Sequence, residues 1–349
     1  VYPALAVLQT VKDKLSDLLW VGGEGGMEAE LVRRQGIVFR TIPAAGVHGV
    51  GLKQLPNNLG LLTRGLLAAR RILRDFHPDA LFFTGGYTAV PMALAGWRLP
   101  TLLYAPDIEP GLALKSVARL ADCIALTAED SREYFPAHSK LTVTGYPVRA
   151  DLTGWKCSAA RQKLGLLEAL PVLLVLGGSR GARSINQALG ANLPALLKKA
   201  QVVHLSGELD WPAVEATRRE LTEQQAVHYH AFPYLHEQMG AALAAADLVV
   251  SRAGASTLGE YPMFSLPAIL VPYPHAWRYQ KVNADYLAQR GAAVVIRDNS
   301  LQDELLPTVT ALLENPTKLQ AMRSAMQSLA RPQAATAIAD QLLKLTGEN

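Results

Sequence analysis

Leu248-Val249-Val250-Ser251-Arg252-Ala253-Gly254-Ala255-Ser256-Thr257-Leu258-Gly259-Glu260 is an apolar run that opens into small residues and closes on a carboxylate. A second apolar run, Ala268-Ile269-Leu270-Val271, follows it. Short runs with no polar face suit strands buried on both sides, as in a parallel sheet covered by helices. A strand that ends in small residues and leads into a helix start lets backbone N–H groups approach an anion, and the positive end of the helix favours a diphosphate there. Glu260, expected one turn into that helix, can accept both hydroxyls of a ribose. The stretch is a candidate nucleotide cradle; taken alone, it equally suits an ordinary strand-to-helix turn of an α/β sheet.

Working outward, apolar runs recur at residues 18–21, 81–84, 101–104, 123–127, 172–176 and 202–205, then at 248–250, 268–271 and 293–296. Helix-length segments separate most of them, the pattern of α/β domains with parallel sheets. The run at 172 begins a fresh series after a stretch marked by Pro147, Gly154, Gly165 and Pro171. The spacing predicts two doubly wound, Rossmann-like domains, residues 1–150 and 151–330, with the ligand where strand C-termini face each other. The remainder, 331–349, is expected to form a helix after Pro332 that returns to the first domain.

The 349 residues are too many for one ordinary core, and with half of them apolar and 18% charged the chain is not disordered. Cys123 and Cys157 lie in no metal-ligand spacing, so neither a disulfide framework nor a zinc site is expected. No apolar stretch reaches the roughly 18–20 residues that span a bilayer, and no signal peptide is visible, which points to a cytoplasmic protein. The formal charge is +4, and the basic residues concentrate between Arg33 and Arg119, where only Asp75, Asp79, Asp107 and Glu109 are acidic. Within that stretch residues 61–76 are amphipathic: Leu62, Leu66, Ala69, Leu73 and Phe76 share a helical face, while Arg64, Arg70, Arg71 and Arg74 supply charge. The stripe suits a core contact, and the arginines suit an anionic membrane surface. No nucleic-acid-binding module is present.

Further candidates cluster at turns. Gly177-Gly178-Ser179-Arg180-Gly181-Ala182 follows the first strand of the second half, with Ser179 able to donate to a phosphate oxygen; it is neither a Walker loop nor a Gly-x-Gly-x-x-Gly turn. Thr84-Gly85-Gly86-Tyr87 closes a strand of the first half. Arg149, in Gly145-Tyr146-Pro147-Val148-Arg149, stands at the domain junction, where a guanidinium can hold a diphosphate. After Pro272-Tyr273-Pro274-His275, the amides of Gln280 and Asn283 can each donate and accept, as sugar hydroxyls require.

Together these motifs, with Tyr2-Pro3-Ala4-Leu5-Ala6 at the start and Arg278-Tyr279-Gln280 near the end, resemble the MurG family over nearly the whole chain. The resemblance implies the GT-B architecture, two Rossmann-like domains facing a cleft, working peripherally at the cytoplasmic face of the cell membrane. The implied reaction is inverting transfer of N-acetylglucosamine from its UDP carrier to lipid I, giving lipid II. By position, Arg149 and Ser179 would contact the diphosphate and the backbone of Leu235 the uracil. Ala255, Ser256, Thr257, Leu258, Gly259 and Glu260 would hold phosphate and ribose, and Gln280 the sugar. No cofactor is implied, and no Asp-x-Asp metal site is present.

Three departures accompany the resemblance. The family's glycine-rich loop ending in histidine would precede Val1. Its His-Glu-Gln-Asn stretch is Tyr104-Ala105-Pro106-Asp107 here, which makes Asp107 the candidate base or acceptor contact, and Tyr279 replaces a glutamine. The alternatives are another GT-B nucleotide-sugar enzyme, such as an epimerase or a transferase to a different lipid, and a non-catalytic UDP-sugar-binding subunit.

Overall fold

In the computed structural model the chain divides into two compact units, Val1–Pro147 with Gln333–Asn349, and Val148–Pro332. Residues 1–26, 28–44, 55–137, 139–178, 181–275 and 278–347 are described.

The first unit carries β1 (Leu19–Gly23), β2 (Val38–Ile42), β3 (Leu81–Phe83), β4 (Thr101–Ala105), β5 (Cys123–Leu126) and β6 (Leu141–Val143). β1 and β2 form a parallel pair, and the others form a parallel sheet in the order β3-β4-β5-β6. Ile42, Leu103, Ile124 and Leu126 belong to the core of this unit, which Ala69 and Ile72 join from the helix Leu55–Phe76. That helix lies close against the chain at Pro43, since a Cβ at Gly65 would be 2.3 Å from the Pro43 carbonyl oxygen. Arg64, Arg70, Arg71 and Arg74 remain exposed. The helix Ala334–Leu345 packs on the helix Tyr2–Val11 and on β4.

The second unit is a six-stranded parallel sheet of β7 (Val172–Leu176), β8 (Gln201–Leu205), β9 (Tyr229–Phe232), β10 (Leu248–Ser251), β11 (Ala268–Leu270) and β12 (Ala293–Val295). Its order is β12-β11-β10-β7-β8-β9. The chain starts at β7 in the middle, runs outward to β9, returns to β10 beside β7, and runs outward again. This is the doubly wound order, and it reverses between β7 and β10, the switch point at which sheets of this kind bind ligands beyond the strand C-termini. The apolar runs at β7 and β10 are buried on both faces, as helix-covered parallel strands must be.

Three strands, β2, β6 and β9, were not foreseen from apolar runs, and each lies at the end of its sheet. An end strand has one neighbour and less cover, so its sequence admits residues such as Arg40, Thr142 and His230.

Candidate functional site

Both glycine-rich turns of the second unit arise at the switch point. After β7, a Cβ at Gly177 would sit 2.1 Å from the Ala182 amide nitrogen, and one at Gly181, where φ is +76°, would sit 2.1 Å from the Ser206 carbonyl oxygen. Only glycine lets this turn fold on itself and against the end of β8. Ser179, the proposed phosphate donor here, lies outside the described residues.

A buried network fixes the helix Arg183–Leu196 that follows. The Asn186 amide donates to the Ser206 carbonyl at 2.9 Å and to Asp210 Oδ2 at 2.9 Å, so its oxygen accepts from His204 Nε2 at 3.0 Å. His204 Nδ1 must then accept from the Tyr229 hydroxyl at 2.7 Å. Burial holds this imidazole neutral, with its pKa down at about 3 against an upward pull from Asp210.

After β10 the chain makes a 3₁₀ turn, Ala255–Leu258, and then a short α-helix, Glu260–Met263. This corrects the expectation of one continuous helix with Glu260 a turn inside it. The break falls at Gly259, whose φ of −124° and ψ of −48° are not helical, and Pro262 has no amide proton to return to Leu258 across it; Glu260 begins the second element. The carbonyls of the turn are tied inward: Asn283 Nδ2 donates to Ala253 O at 3.1 Å, and Thr257 Oγ1 to Gly254 O at 2.8 Å. The amides of Ala255 and Ser256 have no acceptor among the described residues. Asn283 is fully buried, so it shapes this turn and is not the sugar contact that sequence suggested.

Glu260 keeps part of its surface in solvent, yet its pKa is raised to about 7. Burial is the larger effect; the charge of Arg149 and a hydrogen bond from Ser256 work against it. Arg149 precedes the 3₁₀ turn Ala150–Leu152 and lies 3.5 Å from Asp151. This turn seats on the helix Met239–Ala245 because residue 240 is glycine: a Cβ there would be 2.3 Å from the Leu152 carbonyl oxygen. Leu235, in the loop before that helix, has a buried side chain, and neither its backbone N–H nor its C=O has a partner among the described residues.

Gln280 stands in the first turn of the helix Tyr279–Gln289. Its Oε1 accepts from the Tyr273 amide at 2.9 Å, which commits the acceptor end and leaves its NH₂ without a partner among the described residues. His275 is exposed, edge-on to Tyr273 with centroids 5.5 Å apart.

In the first unit Tyr104, which stands at the family's histidine, is fully buried and points into the fold. Its hydroxyl lies 2.7 Å from Thr127 Oγ1, which in turn lies 2.9 Å from the Pro106 carbonyl oxygen. The hydrogen bonds hold the chain just before Asp107, itself half-buried after β4. Burial, the largest influence, keeps the Tyr104 phenol far above its usual pKa, so it does not ionise. Glu109, which the sequence did not single out, is a buried carboxylate 3.4 Å from Lys115 Nζ. Gly85 and Gly86 turn the chain after β3 with φ of +125° and +89°, and Tyr87 projects into solvent.

Residues 172–340 match the glycosyltransferase family 28 C-terminal domain, and residues 1–126 match its N-terminal domain. A relative from Roseiflexus sp. (strain RS-1) is named UDP-N-acetylglucosamine–N-acetylmuramyl-(pentapeptide) pyrophosphoryl-undecaprenol N-acetylglucosamine transferase. It is 42% identical, over 92% of this chain and 82% of its own. The chain belongs to the MurG family. A relative of the same name from Desulforudis audaxviator (strain MP104C) is 39% identical over 100% of this chain and 96% of its own. A crystal structure of MurG from Acinetobacter baumannii is similar with a TM-score of 0.76, at 26% identity, covering 98% of this chain and 95% of that one. As a MurG-family member the protein is a glycosyltransferase of α/β, GT-B fold. Glu260, Leu235 and Gln280 fall inside the matched C-terminal domain, while Arg149 falls between the two matched ranges.

Proposed function

We propose that this chain transfers N-acetylglucosamine from UDP-N-acetylglucosamine to the 4-hydroxyl of lipid I, the undecaprenyl-pyrophosphoryl-N-acetylmuramyl-pentapeptide, forming lipid II. The observation that carries the donor half is the pair of glycine-rich turns at the β7/β10 switch point, with Glu260 and Arg149 electrostatically coupled beside them. In this reading uracil pairs with the unpartnered backbone of Leu235, and Glu260 accepts from the ribose hydroxyls. The diphosphate meets Arg149, Ser179 and the amides that begin the Ala255–Leu258 turn, and the NH₂ of Gln280 donates to the sugar. Residues 1–150 serve the acceptor and the membrane, except for Arg149, which belongs to the second unit, and residues 151–330 serve the donor.

The acceptor oxygen forms a bond to the anomeric carbon as the bond from that carbon to the UDP oxygen breaks, which inverts the centre. The acceptor proton goes to a base, for which Asp107 is the candidate, and the charge developing on UDP meets Arg149 and backbone amides. No step requires a covalent sugar–enzyme intermediate.

The protein acts peripherally at the cytoplasmic face of the membrane. Among the described residues no helix is long and apolar enough to cross a bilayer. Leu67, 53% exposed, accompanies four exposed arginines on the helix Leu55–Phe76, a combination suited to anionic headgroups.

The test is transfer of labelled N-acetylglucosamine to a lipid I analogue, with Glu260→Ala as control. Lipid II formation that disappears in Glu260→Ala supports the assignment. UDP-N-acetylglucosamine bound but never transferred turns the reading toward a binding subunit, and UDP released without an acceptor turns it toward another nucleotide-sugar reaction.

A further inference from the structure

Arg252, Ser184 and Asp298 form a closed hydrogen-bonded cluster that none of the contacts proposed above uses. They come from three places: Arg252 directly follows β10, Ser184 lies in the first turn of the helix after the Gly177 turn, and Asp298 lies beyond β12. Arg252 Nη1 donates to Asp298 Oδ1 at 2.5 Å and to the Val271 carbonyl at 3.1 Å, and Nη2 donates to Ser184 Oγ at 2.8 Å. The Ser184 hydroxyl, having accepted from arginine, spends its proton on Asp298 Oδ1 at 2.7 Å. Arg252 is 12% exposed, and although burial, the largest single influence, pushes Asp298 upward, the hydrogen bonds from Ser184 and Arg252 and the charges of Arg252 and His275 together hold it below its ordinary value.

The guanidinium reaches the segment that carries the proposed sugar contact. It bonds the carbonyl of Val271, and its carbon lies 5.2 Å from the centroid of the Tyr273 ring. The amide of Tyr273 is the group that Gln280 Oε1 accepts from. The backbone at 271–273 is thus held by Arg252 on one side and Gln280 on the other, and Gln280 takes its orientation from that same backbone. If Asp298 is neutralised, Arg252 loses its counter-charge while still largely buried, and its bond to Val271 loses its fixed direction.

We propose that Asp298 is a positioning residue for the donor sugar: it clamps Arg252 onto Val271, and so sets the Tyr273–Gln280 contact. The inference rests on the reading of the second unit as the donor site. The clamp does not touch Glu260, Arg149 or Leu235, so the nucleotide should be insensitive to it.

The experiment compares Asp298→Asn with wild type in calorimetric binding of UDP and of UDP-N-acetylglucosamine, and in hydrogen exchange of residues 271–280 in the free protein. The expected result is UDP affinity within twofold of wild type, UDP-N-acetylglucosamine affinity lowered about tenfold, and faster exchange confined to 271–280. Ser184→Ala, which keeps the ion pair, should change both in the same direction but less. Equal loss for UDP and UDP-N-acetylglucosamine, or exchange at 271–280 unchanged, would overturn the proposal. If the wild-type protein binds no UDP-N-acetylglucosamine, the donor-site reading itself fails, and the sugar-positioning role is overturned with it whatever the exchange shows. If wild type binds and only the variants behave otherwise than expected, the positioning role alone fails.

Discussion

In the proposed donor site Glu260 must be ionised to accept from two ribose hydroxyls, yet in the free protein its pKa stands at about 7 because burial outweighs the help of Arg149 and Ser256. Nucleotide that donates to the carboxylate favours the charged form, so binding and deprotonation are linked. Above pH 8 the group is already ionised and UDP-N-acetylglucosamine affinity should be flat. Below 7 a proton must first leave, and affinity should fall by up to about tenfold per pH unit. Calorimetric titration between pH 5.5 and 8.5 measures this with UDP-N-acetylglucosamine, whose esterified diphosphate, unlike the terminal phosphate of UDP, does not titrate there; Glu260→Gln should bind more weakly at pH 8 and lose the slope. A slope that persists in Glu260→Gln would place the titrating group elsewhere. Arg149→Ala should raise the UDP dissociation constant by about 10- to 100-fold, the worth of a hydrogen bond between charged partners, and should shift the Glu260 titration upward because an attractive charge is removed.

At the scale of elements, two networks hold the second unit at opposite ends of its strands. On the ligand side, His204 joins β8 to β9 and to the helix Arg183–Leu196. Its folded pKa of about 3 lies below the unfolded value of 6.5, so between these values the unfolded chain binds a proton that the folded chain does not. Its contribution to stability is therefore complete above pH 6.5 and is lost toward pH 3, by up to about 1.4 kcal/mol per pH unit. His204→Leu should remove that part of the acid sensitivity in urea unfolding between pH 4.5 and 7, while costing about 2–4 kcal/mol at pH 7 for the orphaned Tyr229 and Asn186 groups. At the N-terminal end of β7 and β10, Asp247 accepts from Arg161 at 2.7 Å, from Arg323 at 2.7 Å and from the Val172 amide at 2.9 Å. Asp247→Ala leaves the buried Arg161 without its counter-charge and should destabilise by about 3 kcal/mol in the same measurement, with UDP affinity unchanged. These elements also mark what could be read from sequence. β7 and β10 announce themselves as runs with no polar face, and the small residues after them as turns. β2, β6 and β9 do not, because an end strand tolerates polar residues on its open side. Glu260 and Gln280 can be named as candidates from sequence because each lies in a motif; Asp298 and Ser184 cannot, because they meet only when three strand ends come together, and no local pattern records that meeting. Asn283 misled for the opposite reason: an amide suited to sugar is equally suited to tying down a buried carbonyl.

For the whole molecule, a formal charge of +4 understates its local field, since residues 33–119 carry 11 Lys/Arg against 4 Asp/Glu. The helix Leu55–Phe76 shows how that charge can be used without loss of stability. Ala69 and Ile72 enter the core of the first unit, so Arg64, Arg70, Arg71 and Arg74 can be changed without touching packing. An arginine near an anionic surface is worth about 1 kcal/mol, so replacing Arg70, Arg71 and Arg74 with glutamine should weaken binding to phosphatidylglycerol-containing vesicles by about 100-fold. Binding of wild type to zwitterionic vesicles should already be weak, and added salt should weaken the anionic case, because screening shortens the reach of exposed charges. Transfer to a water-soluble lipid I analogue should stay at the wild-type rate, since none of the three arginines belongs to the donor site. Loss of vesicle binding with that rate retained would separate membrane attachment from chemistry. Unchanged vesicle binding would move the attachment to another surface of the protein.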